Sequence, residues 1–112
     1  MPEIIPAIIG QNFTEVANKI RLVEDVADRV HLDIMDGSLT TQSGWRTPDD
    51  LETFDGKIKI ECHLMVKEPE EWVNRALEAL PDRIIAQAEM MYEPMKFITE
   101  ASEGGLEVGI AL

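Results

Sequence analysis

Five short apolar runs punctuate the chain, at residues 3–9 (EIIPAII), 29–35 (RVHLDIM), 59–66 (KIECHLMV), 83–90 (RIIAQAEM) and 106–112 (LEVGIAL). Their starts are 26, 30, 24 and 23 residues apart, a spacing that suits one strand-plus-helix unit. The runs are nearly continuous and rich in β-branched residues, as expected of parallel strands buried on both faces.

The intervening segments carry a helical period instead. Asn12 with Glu15 has the spacing of a capping box, and Phe13, Val16, Ala17, Ile20 and Val23 then form one stripe. Thr47-Pro48-Asp49-Asp50 is a helix start with proline at the first position and acids in the first turn. Glu68-Pro69 opens a third helix with Trp72, Val73, Ala76, Leu77 and Leu80 on its apolar side. Glu93-Pro94 opens a fourth with Phe97, Ile98 and Ala101, and Gly104-Gly105 ends it.

Strand and helix in alternation predict an α/β fold with a parallel sheet, either doubly wound or closed as a barrel. Periodicity leaves both open. A doubly wound nucleotide fold favours a glycine-rich turn after the first strand, whereas Gly10-Gln11-Asn12 matches neither GxGxxG nor a Walker loop. No linker or low-complexity tract interrupts the pattern, so residues 1–112 are expected to form a single partial domain of about five strands and four helices, cut off within its fifth strand.

Composition narrows the setting. Hydrophobic residues make up 45% and charged residues 29%, ordinary values for a globular protein. A net charge of -12 argues against nucleic acid and anionic membranes as partners. The single cysteine, Cys62, excludes an internal disulfide and fits a reducing cytoplasm. No apolar stretch approaches membrane-spanning length, and the N-terminus reads as a first strand rather than a signal peptide.

Chemistry concentrates in the second and third runs. The chain's two histidines, His31 and His63, lie near the C-terminal ends of adjacent predicted strands, where parallel α/β folds place their sites. Side chains two apart share a face, so His31, Asp33 and Met35 group together, as do Glu61, His63 and Met65. Adjacent strands lie about 4.8 Å apart, so two imidazoles and a carboxylate can converge there. That donor set suits Zn²⁺, Fe²⁺, Mn²⁺ or Co²⁺. One strand histidine alone is more often a hydrogen-bonded core residue. An inward carboxylate beside two histidines points to ligands, because burying it unpaired costs several kcal/mol, roughly. Cys62 should face the helices as a small buried hydrophobe.

With these residues in view, the chain resembles the ribulose-phosphate 3-epimerase family of (β/α)8 TIM barrels. The resemblance runs through Pro6-Ala7-Ile8-Ile9, then His31-Leu32-Asp33-Ile34-Met35-Asp36-Gly37, and His63-Leu64-Met65-Val66 with Glu68-Pro69-Glu70. It continues through Gln87 and Glu89 and closes on Gly109-Ile110-Ala111-Leu112. The H-x-D-x-M-D-G and H-L-M pair, in that order and spacing, is its most specific part.

The resemblance implies a metal-dependent isomerase that moves a proton at carbon 3 of a phosphorylated ketopentose, interconverting ribulose 5-phosphate and xylulose 5-phosphate. It implies His31, Asp33 and His63 as metal ligands and Asp33 as one of two acid/base aspartates. Met35, Met65 and His63 would line the substrate, and Glu61, in place of a family aspartate, would orient His63 from behind. The chain departs from the family at Ala7, usually serine, at Ser38-Leu39-Thr40-Thr41-Gln42, usually a His-Phe-Val-Pro-Asn type loop, and at Gln87, often histidine. The family's fourth ligand, second aspartate and phosphate-binding loops come from strands seven and eight, outside these residues. The chain by itself is therefore expected to be inactive and to self-associate, most simply as a homodimer through two long open sheet edges. Alternatives are a non-catalytic half-barrel for metal binding or assembly, or another phosphate-sugar barrel enzyme. The latter would favour a lysine beside Asp33, and LDIMDG has none.

Overall fold

The alternating pattern folds, in a computed structural model describing residues 2–112, into five strands: β1 (Ala7–Ile8), β2 (Arg29–Met35), β3 (Lys59–Met65), β4 (Arg83–Gln87) and β5 (Glu107–Ala111). They pair in chain order, every pair parallel. Three α-helices, α1 (Phe13–Val23), α2 (Val73–Ala79) and α3 (Pro94–Glu103), connect them. This is a partial TIM-barrel-like sheet covered by helices on one side. Among the described residues, no helix is long and apolar enough to cross a membrane.

The strands are two-faced rather than apolar throughout. In β2 the even positions Val30, Leu32 and Ile34 are fully buried toward the helices. In β3 the equivalents Ile60, Cys62 and Leu64 join them, packed with Val16 and Ile20 of α1, Val73 of α2 and Phe97 of α3. Each such aliphatic side chain contributes about 1.5–3 kcal/mol on burial, so this face holds the fold together. The odd positions form the other, inner face, and most are polar or charged. Burial on that side is extensive even so: Arg29 is 6% and Glu61 5% exposed.

Local signals set the helix ends. Asn12 Oδ1 accepts the Glu15 N–H at 2.9 Å, as a capping residue should. Glu15 Oε2 returns a bond to the Gln11 N–H at 3.2 Å, one residue earlier than a capping box requires. The second predicted helix is instead a six-residue 3₁₀ turn, Pro48–Thr53. Trp45 is buried there and donates through Nε1 to Asp50 Oδ2 at 2.9 Å, so the chain closes tightly before Phe54 turns extended. Too few residues remain to propagate an α-helix from a costly first turn.

The third helix begins as another 3₁₀ turn, Pro69–Trp72, and ends at Leu80 in a left-handed conformation with φ of 52°. Pro81 has no N–H to continue the ladder. Leu80 therefore swings outward and is 72% exposed, leaving the apolar side predicted for it. β1 is shorter than its apolar run suggests, pairing with β2 only through Ala7 and Ile8. One sheet edge is correspondingly short, not long, since Pro6 can donate no ladder bond and offers only its carbonyl, to His31 N–H at 2.9 Å.

Candidate metal centre

β2 and β3 run in phase along their whole length. His31 faces Glu61, Asp33 faces His63 and Met35 faces Met65 as direct cross-strand partners. On the inner face this makes a block of two imidazoles and two carboxylates. His31 Nε2 lies 3.0 Å from Asp33 Oδ1, and His63 Nδ1 lies 3.3 Å from the same oxygen. The two rings meet edge to face, their centroids 5.4 Å apart. One ligand atom from each of His31, Asp33 and His63 falls within 4.8 Å of the other two.

The outer nitrogen of each ring is occupied. His31 Nδ1 pairs with Glu61 Oε1 at 2.8 Å, and His63 Nε2 pairs with Gln87 Oε1 at 2.9 Å. The Gln87 amide in turn donates to Glu89 Oε2 at 3.0 Å. Such outer bonds fix the ring's tautomer and rotation and leave the inward nitrogen to a cation. Glu61 thus supports His31, not His63 as expected from the sequence. Glu61 and His63 sit two residues apart on one strand, about 6.6 Å, whereas His31 is the cross-strand neighbour at about 4.8 Å.

Charge balance follows from these contacts. Burial alone would raise the Asp33 carboxyl, but the His31 and His63 imidazoles outweigh it and hold the group well below the usual carboxylate range. His31 is raised above an ordinary imidazole, chiefly by its bond to Asp33. Burial opposes that rise and the bond to Glu61 adds to it. A proton on His31 Nε2 and a cation would compete for the same place beside Asp33. Two nitrogens and a carboxylate oxygen converging on one point, with their outer sides already bonded, fit a divalent transition metal.

The rest of the neighbourhood forms a mouth. Met35 and Met65 pair one step beyond Asp33 and His63, at the C-terminal ends of their strands. Asp36 then ties two loops together: its Oδ1 accepts the Ser38 N–H at 2.9 Å and its Oδ2 the Lys67 N–H at 3.0 Å. Gly37 follows with φ of 88°, a conformation glycine adopts freely. Behind β3, Glu70 is 2% exposed and its Oε2 accepts the Tyr92 N–H at 2.7 Å, fixing the segment that follows β4. Cys62 points the opposite way from His63, into the apolar core, where burial pushes its thiol up to about 12.

The sequence model of the ribulose-phosphate 3 epimerase family matches residues 3–112. The chain belongs to that family. Among curated relatives, it is 24% identical to a ribulose-phosphate 3-epimerase of Candida glabrata, over 99% of this chain and 52% of that protein. It is 27% identical to the ribulose-phosphate 3-epimerase of Mycobacterium tuberculosis, over 99% and 48%. The corresponding Bacillus subtilis protein is 26% identical, over 100% and 52%. The chain spans about half the length of the curated epimerases it matches.

Two contacts around the imidazole–carboxylate block go beyond what the sequence predicts. Arg83 bonds Glu61, and Gln87 bonds His63. In the sequence Gln87 stands within the resemblance and where the family often has a histidine. Its role was within reach, since an amide oxygen can accept a ring N–H. Arg83 was not, because it opens β4 yet pairs with the third residue of β3, an offset that only the sheet's stagger sets.

Proposed function

We propose that this chain supplies the metal-binding half of an epimerase acting on a phosphorylated ketopentose, ribulose 5-phosphate or xylulose 5-phosphate. The observation that carries the reading is the convergence of His31, Asp33 and His63 at the mouth of β2 and β3, in a chain of this family. Zn²⁺, Fe²⁺, Mn²⁺ and Co²⁺ all suit that donor set. When bound, such an ion supplies positive charge that stabilises an oxygen anion as a Lewis acid.

The chain's own residues do the remaining work. Asp33 stands ionised and so in the base form needed to take the proton from carbon 3. Both imidazoles contact its Oδ1, which weakens that oxygen as a base and, in this reading, leaves proton transfer to Oδ2. Met35 and Met65 border the reacting face with apolar, polarizable side chains that exclude water from a carbanion-like centre. His63 serves both the ion and the substrate's edge. Inversion takes a second acid on the opposite face of the carbon, which in this reading comes from outside these 112 residues. A reducing cytoplasm suits the one buried thiol.

Calorimetric titration of the chain with Zn²⁺ and Mn²⁺ tests the reading directly. We expect one ion per chain, with affinity falling at least about tenfold in His63→Ala. Absence of binding by the intact chain, or equal binding by His63→Ala, would sink it.

A further inference from the structure

Four inner-face residues from four successive strands stand in one row. His31 of β2 pairs with Glu61 of β3, Glu61 with Arg83 of β4, and Arg83 with Glu107 of β5, each as a direct cross-strand partner. The row is hydrogen-bonded end to end. Glu61 spends one oxygen on each side, Oε1 on His31 Nδ1 at 2.8 Å and Oε2 on Arg83 Nη1 at 2.7 Å. Arg83 is held in turn by Glu107 Oε2, which accepts from Nη2 at 2.8 Å and from Nε at 3.2 Å.

From this row we infer that Arg83 is a positioning residue for the metal centre, acting through Glu61 to hold the His31 ring with Nδ1 outward and Nε2 toward Asp33. The inference rests on reading His31, Asp33 and His63 as metal ligands. Arg83 touches none of the three. Its effect passes through the orientation of one carboxylate.

A competing cation makes the arrangement sensitive. Arg29 is buried beside Glu61 and approaches the oxygen that Arg83 holds, its Nη1 4.0 Å from Glu61 Oε2, with 3.8 Å between its Nε and Glu3 Oε1. Among the described residues, its Nε and Nη1 have no hydrogen-bond partner. A buried guanidinium with unmade bonds attracts any carboxylate that can reach it. Arg83 holds that same Oε2 at 2.7 Å, which fixes the carboxylate's orientation and keeps Oε1 on His31. Without Arg83, Oε2 swings toward Arg29, and that rotation of the carboxylate carries Oε1 off the His31 ring. Lysine at position 83 is a point charge without the fork that spans Glu61 and Glu107 at once, so it restores the row only in part.

The test compares the wild-type chain with Arg83→Met, Arg83→Lys and Glu107→Gln, with circular dichroism as a check on folding. The first readout is the ¹H–¹⁵N spectrum of the histidine ring nitrogens in the metal-free chain, which reports the His31 tautomer and its bond to Glu61. The second is calorimetric titration with Zn²⁺ alone. We expect the His31 Nδ1–H signature to disappear in Arg83→Met and Zn²⁺ affinity to fall about tenfold, the usual range for loss of an outer-shell partner. Arg83→Lys should recover part of both. Glu107→Gln, at a position whose side chain is 61% exposed, should give a smaller loss of the same kind.

A folded Arg83→Met with an unchanged His31 ring spectrum and unchanged Zn²⁺ affinity overturns the inference while leaving the metal reading intact. A wild-type chain that binds no Zn²⁺ overturns the metal reading, and the ring spectra then decide the Arg83–Glu61–His31 coupling by themselves. Should Arg83→Met fail to fold, Arg83→Lys and Glu107→Gln carry the same two readouts. Unchanged ring spectra in both would overturn the coupling.

Discussion

The two faces of β2 and β3 are built from the same fourteen residues and obey opposite rules. Toward the helices, Leu32, Ile34, Cys62 and Leu64 are fully buried and make apolar contacts alone. On the inner side, His31, Asp33, Glu61 and His63 are tied by directional bonds, each group depending on its neighbour's charge. One face tolerates a change of shape at a cost in stability. The other tolerates little change of chemistry, since each removed partner strands a buried polar group. Strand alternation lets two adjacent residues serve these different ends.

The largest effect expected on this comparison comes from the helix side. Leu32→Ala removes a fully buried side chain and should cost about 2–5 kcal/mol, read as a lower urea midpoint at unchanged slope. Zn²⁺ affinity of the fraction that stays folded should hardly move. A large affinity loss in folded Leu32→Ala would break the division between the faces.

The converse is Asp33→Asn. It keeps the shape and removes the charge shared by both imidazoles, so Zn²⁺ affinity should fall at least about tenfold in calorimetry. The urea midpoint should fall too, but by less than in Leu32→Ala, because the His31 and His63 rings keep their outer bonds to Glu61 and Gln87. A change in stability as large as the Leu32 one would mean that Asp33 holds the fold rather than the site.

The smallest effect concerns the loops at the mouth. Burial raises the Asp36 carboxyl, but the Ser38 hydroxyl and N–H and the Lys67 N–H together bring it below its ordinary value. A depressed carboxylate adds stability above its unfolded pKa, about 3.9, and that contribution fades as the pH falls through the lower folded value. Wild type should therefore exceed Asp36→Ala in urea midpoint near neutrality, and the gap should narrow on acidification from about pH 5 to pH 3. A gap that stays constant with pH would assign the effect to packing rather than to the charged bonds.

Much of this was legible in the residues. The spacing of apolar runs predicts the five parallel strands, and the i, i+2 rule places His31 beside Asp33. His63 joins them because both strands start at equivalent positions, so that fifth residue meets fifth. What stayed hidden depends on relations between strands. Glu61 was assigned to the histidine near it in sequence instead of the one opposite it in the sheet. Arg83 reaches Glu61 only because β4 is offset against β3. The short second helix and the outward turn of Leu80 likewise reflect where the chain has to go next, at Phe54 and Pro81, more than any local preference.

The alternating row across β2–β5 has a consequence far from the sheet. Arg29 and Arg83 offset Glu61 and Glu107 within the inner face, so the net charge of -12 is carried by the remaining surface. An anion diffusing toward the mouth therefore meets a repulsive far field before it meets the locally balanced interior. Dissolved salt shortens the reach of that field to about 8 Å at physiological ionic strength. For this chain, unlike proteins that steer anions with a basic surface, added salt should hasten the approach of an anion to the mouth.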